Sequence, residues 1–248
     1  MEIVSSQNEK VKFVASLKLK KYRDQENMFV CEGKKLIDEA LACGYKMQML
    51  FYIDEQDVTE YLVQEKYKTN DSVMQKMTSF KSANTILAVF KQKAIAEKQP
   101  QGNFLVLENI QDAGNFGAIM RSSYACGFNT VYAIDCVDAY EPKALRASMG
   151  AIFKVQIIKI NMQEFLALKL KNLVCASMEG ENIYSKTLNV GKECGVVLGN
   201  EGHGVSEELR KLCLKTISIP MQAGQESLNV AVSASLIMYA IRYNLKQN

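Results

Sequence analysis

Arg121 follows a stretch rich in amides and small residues, Glu108-Asn109-Ile110-Gln111-Asp112-Ala113-Gly114-Asn115-Phe116-Gly117. Small residues let a backbone approach a ligand, and a guanidinium one helical turn further on points back toward them. Its planar fork can hold a phosphate or another anionic oxygen bidentately, although an ordinary surface arginine on an amphipathic helix has the same sequence. A second segment, Gly199-Asn200-Glu201-Gly202-His203-Gly204, places three glycines in six residues directly after an apolar run and calls for a close backbone partner. Within it Glu201 can be a base, a partner for Arg121 or a soluble turn residue. A third segment runs from Ile219-Pro220-Met221 to Ser227-Leu228-Asn229 and enters a long apolar-rich stretch, where Ser227 or Asn229 suits a helix N-cap. Ser227 has no His or Lys at a fixed nearby spacing, which weakens a serine-nucleophile reading.

Other chemistries lack their residues. There is no G-x-x-x-x-G-K-[ST] phosphate loop, and no G-x-G-x-x-G opening a helix after the first strand. His203 is the single histidine and the seven cysteines form no C-x-x-C pair, so neither a metal centre nor a disulfide framework is expected. A lone loop histidine most simply faces solvent.

Three ligand-facing loops need strands behind them, because open α/β sheets bind ligands beyond the carboxyl ends of their strands. Apolar runs at 104–107, 130–134, 155–160, 173–176, 194–199 and 217–221 have the length of buried strands. Between and after them, 118–126, 141–149, 161–170, a short stretch from Ser206 and 229–245 read as helices, with Asn161 and Glu164 spaced as a capping box. This alternation predicts an α/β fold with a mostly parallel sheet covered on both faces, spanning residues 104–248. Leu228, Val232, Ser235, Leu236 and Tyr239 read as a core-facing stripe of the last helix. Residues 1–92 read as a smaller α/β unit, with helices at 8–22 and 34–42 and strands at 28–31, 48–53 and 85–90. The polar stretch 93–103, carrying Pro100 and Gly102, is the expected linker.

Of the 248 residues, 48% are hydrophobic and 23% charged, which excludes disordered and low-complexity classes. No apolar run approaches the ~18 residues of a membrane helix, and the opening Met1-Glu2-Ile3-Val4-Ser5-Ser6 lacks the pattern of a secretion signal. With scattered, odd-numbered cysteines this predicts a reducing, cytoplasmic setting without membrane attachment. Net charge is only +3, yet residues 8–23 hold six basic side chains against Glu9 alone. Lys10, Lys12, Lys20, Lys21 and Arg23 are therefore candidate phosphate contacts, with a solvated helix face as the plain alternative.

Taken together, N-x-G-x-x-x-R at Asn115 to Arg121, G-N-E-G-x-G at Gly199 to Gly204, and I-P-M with S-L-N-V-A at Ser227 to Ala231 resemble the three motifs of SpoU-type, TrmH-like RNA 2′-O-ribose methyltransferases of the SPOUT superfamily. The similarity covers about residues 104–245, and the N-terminal unit looks like the family's ribosomal-protein-like substrate-binding domain. The resemblance implies a deep trefoil knot in the C-terminal segment, S-adenosylmethionine bound there, and an active site completed across a homodimer. It assigns the cofactor to Gly199, Asn200, Ile219, Met221 and Leu228. It also implies that Arg121 helps activate the 2′-hydroxyl, that Asn115 fixes Arg121 and substrate, that Glu201 supports them, and that Ser227 and Asn229 line the site. Ala113 stands where the family often has Pro, and Gly224 is slightly displaced from its commonest place. Ribosomal RNA is the expected partner, with transfer RNA, a base-methylating enzyme of the same superfamily and a catalytically silent RNA-binding factor as alternatives.

Overall fold

The computed structural model describes residues 1–94, 99–185, 188–191, 193–200, 202–225 and 227–247. The first four strands, β1 (Met28–Glu32), β2 (Met47–Tyr52), β3 (Glu65–Lys68) and β4 (Ile86–Lys91), form a mixed sheet in the order β1-β4-β2-β3. Helices α1 (Glu9–Ser16) and α4 (Asp71–Met77) cover one face, burying Val11, Val14, Val73 and Met74 against Phe51, Leu87 and Val89. The opposite face carries α3 (Lys34–Ala42) and continues into the core of the second unit. There Phe29 stacks on Tyr140 at 4.4 Å between ring centroids and meets Phe153 at 5.9 Å.

The single helix expected over 8–22 is two, α1 and α2 (Lys20–Glu26), separated at Leu17–Leu19. The break leaves the carbonyls of Leu17 and Lys18 free of helical partners, and Arg23 Nη1 donates to both, at 2.9 and 2.8 Å. Strand β3 and helix α4 were not evident in the sequence. Glu-Lys-Tyr-Lys buries only Tyr67, and such an edge strand carries little hydrophobic signal.

The C-terminal sheet is parallel throughout, in the order β10-β8-β9-β5-β6-β7. Its strands are β5 (Phe104–Glu108), β6 (Thr130–Ile134), β7 (Gln156–Ile160), β8 (Leu173–Asn182), β9 (Gly195–Leu198) and β10 (Cys213–Ser218). Alternation sends Leu105, Leu107, Val131, Val196 and Leu198 to one face, with residues of α5 (Ala113–Cys126), α6 (Pro142–Ser148) and α9 (Val230–Gln247). Val106, Tyr132, Ile158 and Val197 face the other way, toward Phe165 of α7 (Met162–Ala167) and Leu209 of α8 (Glu207–Leu212). Both faces are thus covered, and β5, β6, β9 and the first three residues of β8 are buried on both.

The largest shifts from the expected bounds are in α5, β8 and β10. Helix α5 starts at Ala113 instead of near 118, because Asp112 caps it by accepting from the Asn115 N–H at 2.8 Å. Its glycine-rich start permits close packing, since a Cβ on Gly117 would stand 2.4 Å from the Ala144 carbonyl oxygen of α6. Strand β8 runs on to Asn182, and β10 spans Cys213–Ser218 instead of 217–221, so Ile219-Pro220-Met221 is the loop beyond it.

Candidate active site

Beyond the carboxyl end of β9 the chain makes a tight loop through Gly204. A Cβ on Gly199 would lie 2.0 Å from the Gly204 carbonyl oxygen, so only glycine fits. Asn200 closes the loop twice: its carbonyl accepts from the Gly204 N–H and its Oδ1 from the Gly202 N–H, both at 2.8 Å. Its Nδ2 donates to the carbonyl of Asn109 at 3.0 Å, tying this loop to the exit of β5. Asn109 takes a positive φ of 55°, which turns the chain there. Glu108 adds a second tie by accepting from the Ser206 N–H, the residue that caps α8, at 2.8 Å.

A cavity of about 570 Å³ opens beside this loop. The residues assigned to the cofactor, Gly199, Asn200, Ile219, Met221 and Leu228, all line it, and so does Ser227. Leu198, Val205 and Ile237 add apolar wall, while Met178 enters from the extended end of β8. Met178 carried no local signal, because the strand is expected from its apolar run to stop at 176. His203 and Arg210 are exposed residues of the same wall.

Asn115 and Asn229 meet directly. Asn229 Nδ2 donates to Asn115 Oδ1 at 2.9 Å across a sequence separation of 114 residues. The Oδ1 of Asn229 also caps α9, accepting from the Ala231 and Val232 N–H groups at 2.9 and 3.3 Å. Of the two cap candidates, Asn229 is thus the one that caps the helix. Asn115 in turn sits in the first turn of α5, where the Lys143 ammonium and the Asn115 N–H hold the Asp112 carboxyl below its ordinary pKa. Arg121, further along α5, is exposed and makes no hydrogen bond or ion pair among the described residues. It does not line the cavity wall. Glu201 lies outside the described residues.

The N-terminal basic cluster divides. Arg23 is 2% exposed, and its Nε and Nη2 both reach Asp138 Oδ2 at 2.7 Å. That corrects its assignment as a phosphate contact: its donors are consumed by Asp138 and the two carbonyls at the α1–α2 break. Lys10 pairs with Glu65 at 2.5 Å, Lys12 with Glu9 at 3.0 Å and Lys20 with Asp24. The hydrogen bond with Glu65 raises the Lys10 pKa and lowers that of Glu65. Lys21 is exposed beside the Tyr22 ring.

The core-facing stripe expected on α9 is also corrected. Val232 and Tyr239 are 47% and 54% exposed, whereas Ala234, Ile237, Met238 and Ile241 point inward. The helix has apolar residues on both sides, so periodicity alone does not tell which side is buried.

Comparison with known proteins identifies the family. Residues 102–239 match the SpoU rRNA Methylase family, and residues 8–88 match the MRM3-like substrate binding domain. The chain belongs to the SpoU rRNA methylase family. It is 28% identical over 257 residues to the 23S rRNA (guanosine(2553)-2'-O)-methyltransferase RlmP of Bacillus subtilis (strain 168), covering 97% of this chain and 99% of that protein. It is 27% identical to rRNA methyltransferase 3A, mitochondrial, of Danio rerio, covering 90% of this chain and 66% of that one. The AdoMet-bound rRNA methyltransferase from Sinorhizobium meliloti is 26% identical and superposes with a TM-score of 0.87, covering 99% of this chain and 98% of that one. Among the described residues no helix is long and apolar enough to cross a membrane.

Proposed function

We propose that this protein transfers a methyl group from S-adenosylmethionine to a ribose 2′-hydroxyl of ribosomal RNA. The observation that carries the reading is the cavity in which all five residues assigned to the cofactor converge, beside the Asn115–Asn229 contact. Family membership and relatives named as ribosomal RNA 2′-O-methyltransferases support the same substrate.

The cavity suits this cofactor. About 570 Å³ is within the range of small-molecule sites, and apolar walls from Leu198, Ile219, Leu228 and Ile237 beside a glycine-rich backbone suit a nucleoside. When bound, S-adenosylmethionine supplies an electrophilic methyl group on a sulfonium centre. The chain's own residues position and shield. Gly199 lets the backbone come close, while Ile219, Met221 and Leu228 exclude water. Asn115, held by Asn229, orients the ribose. A guanidinium offers donors and no acceptor, so the role of Arg121 is to stabilise the developing alkoxide or to hold the adjacent phosphate. The proton then leaves to that phosphate or to water. Glu201 supports this network and Ser227 lines it.

The reading includes a knotted C-terminal segment, a domain boundary within 93–103, a cytoplasmic setting and a homodimer. Val232, Leu236, Tyr239 and Tyr243 follow helical spacing along α9, and the three of them other than Leu236 are 47–63% exposed, an apolar face of the kind a second copy covers. Lys10, Lys12, Lys20 and Lys21 remain in the RNA footprint.

The test is transfer of labelled methyl to unmodified ribosomal RNA, with digestion and identification of the labelled nucleoside. A 2′-O-methylnucleoside is expected. Label on a base would replace the reading with base methylation, and cofactor binding without any transfer would replace it with a silent RNA-binding role.

A further inference from the structure

Two cavities between the domains, about 320 and 690 Å³, meet at Phe80 and Pro142 and form one groove. One wall comes from the N-terminal unit and the other from α6. Phe80, half-buried, lies under the guanidinium of Arg146, which is 4.7 Å from the ring centroid. Arg146 is exposed and has no carboxylate partner among the described residues. A guanidinium held over an aromatic ring offers two flat groups on which an unstacked base can lie.

The groove also carries cations that the fold leaves unneutralised. Lys35 on its rim has no ion pair among the described residues, and the Lys18 ammonium is anchored only to the Lys76 carbonyl at 2.8 Å. Burial, with the nearby Lys76 charge, lowers the Lys18 pKa against an opposing pull from Glu32. An anion beside it would relieve both effects. The acidic residues lining the groove are Glu32 and Glu141, and Glu32 is already engaged by the Thr78 hydroxyl and the Ser79 N–H. At its far end stands Lys143, which pairs at 2.6 Å with Asp112, the cap of the helix that carries Asn115 and Arg121.

We infer that this groove is a binding track for single-stranded RNA next to the target nucleotide, with a base stacked on the Phe80–Arg146 pair and phosphates held by Lys18 and Lys35. The inference rests on RNA being the substrate and names the part of the chain that takes it. It moves the main RNA contact away from the ion-paired α1 and α2 lysines to a surface that both domains build. A flat or purely basic surface would serve duplex RNA as well, whereas a stacking platform serves only unpaired bases.

Fluorescence anisotropy with a short labelled single-stranded oligoribonucleotide, and with the same sequence in a blunt duplex, tests this on the full chain. Phe80→Ala and Arg146→Ala are expected to weaken single-strand binding about five- to tenfold and to leave duplex binding as in the wild type. Lys18→Ala combined with Lys35→Ala lowers the dependence of log affinity on log salt by about 1.4, near 0.7 for each phosphate contact. Cofactor affinity stays at the wild-type value in all three, which also shows that they fold. Lys171→Ala, outside the groove, controls for charge alone. Wild-type affinity and salt slope in every groove variant would overturn the track, as would equal losses for single strand and duplex. A wild-type protein that binds RNA through the groove yet transfers no methyl group would overturn the proposed function and leave the track standing.

Discussion

Arg23 and Arg121 carry the same guanidinium into opposite surroundings. At the domain junction Arg23 is 2% exposed, and its donors are spent on Asp138 and on the carbonyls of Leu17 and Lys18. On α5 Arg121 is exposed and has no partner among the described residues. A buried cation with all three guanidinium nitrogens engaged fixes how two units meet. An unpaired one with a rigid fork of donors is available to a ligand. Sequence made both arginines candidates for binding an anion; packing divides them.

The division predicts two opposite phenotypes. Arg23→Ala strands the Asp138 carboxylate and two backbone carbonyls, and removal of one partner from a buried pair costs about 3–5 kcal/mol. Denaturant unfolding should show that loss, with kcat of the folded fraction unchanged. A stable Arg23→Ala protein would break the comparison from the structural side. Arg121→Ala should do the reverse. Loss of one group that stabilises a developing oxyanion costs about 10²–10³ in kcat, while an exposed substitution changes stability by no more than about 0.5 kcal/mol. Arg121→Lys keeps the charge and loses the fork, so near-full activity in that variant would remove the bidentate role.

Burial separates what was legible in the sequence from what was not. Strands β5, β6 and β9 are buried on both faces and announced themselves as short, largely apolar runs. The Asn161–Glu164 capping box was readable because a cap is local. Helix α5 lost its first turn to the loop reading, since Gly114 and Gly117 signal turns until Ala144 and Ala147 of α6 are known to pack against Gly117. The role of Arg23 depends on Asp138, 115 residues away, and no local pattern encodes that partner. The buried side of α9 is decided by what the sheet presents to it. The site motifs were legible as a set, because short loops carried them in order. The direct contact of Asn115 with Asn229 was not.

A backbone change at the cavity tests whether shape alone carries cofactor affinity, with no charge involved. Gly199→Ala places a methyl group 2.0 Å from the Gly204 carbonyl oxygen and 2.4 Å from the Val205 nitrogen, and neither is the end of a flexible side chain. The loop must shift, at a cost of about 1–3 kcal/mol in stability. Calorimetry should show cofactor affinity reduced about tenfold or more. Retained affinity would mean that the tight Gly199–Gly204 turn does not shape the cofactor wall.

Asn229 gives the smallest and most selective effect, because it has two bonds of different kinds: its oxygen holds a helix start as Arg23 holds a junction, and its nitrogen binds Asn115 of the proposed site. Asn229→Ala removes the cap of α9 and the contact with Asn115 together, so about 1 kcal/mol of stability and part of the activity should go at once. Asn229→Asp separates them. A carboxylate still accepts from the Ala231 and Val232 N–H groups, and its charge is favoured at a helix N-terminus. It cannot donate to Asn115 Oδ1, so that amide must turn over or move away. The expected result is wild-type thermal stability with kcat lowered about tenfold, near 1.4 kcal/mol of lost transition-state stabilisation. Full activity in Asn229→Asp would reduce Asn229 to a helix cap and leave the positioning of Asn115 to other contacts. Lowered activity with intact stability would show that one side chain ends a helix with its oxygen and sets the site with its nitrogen.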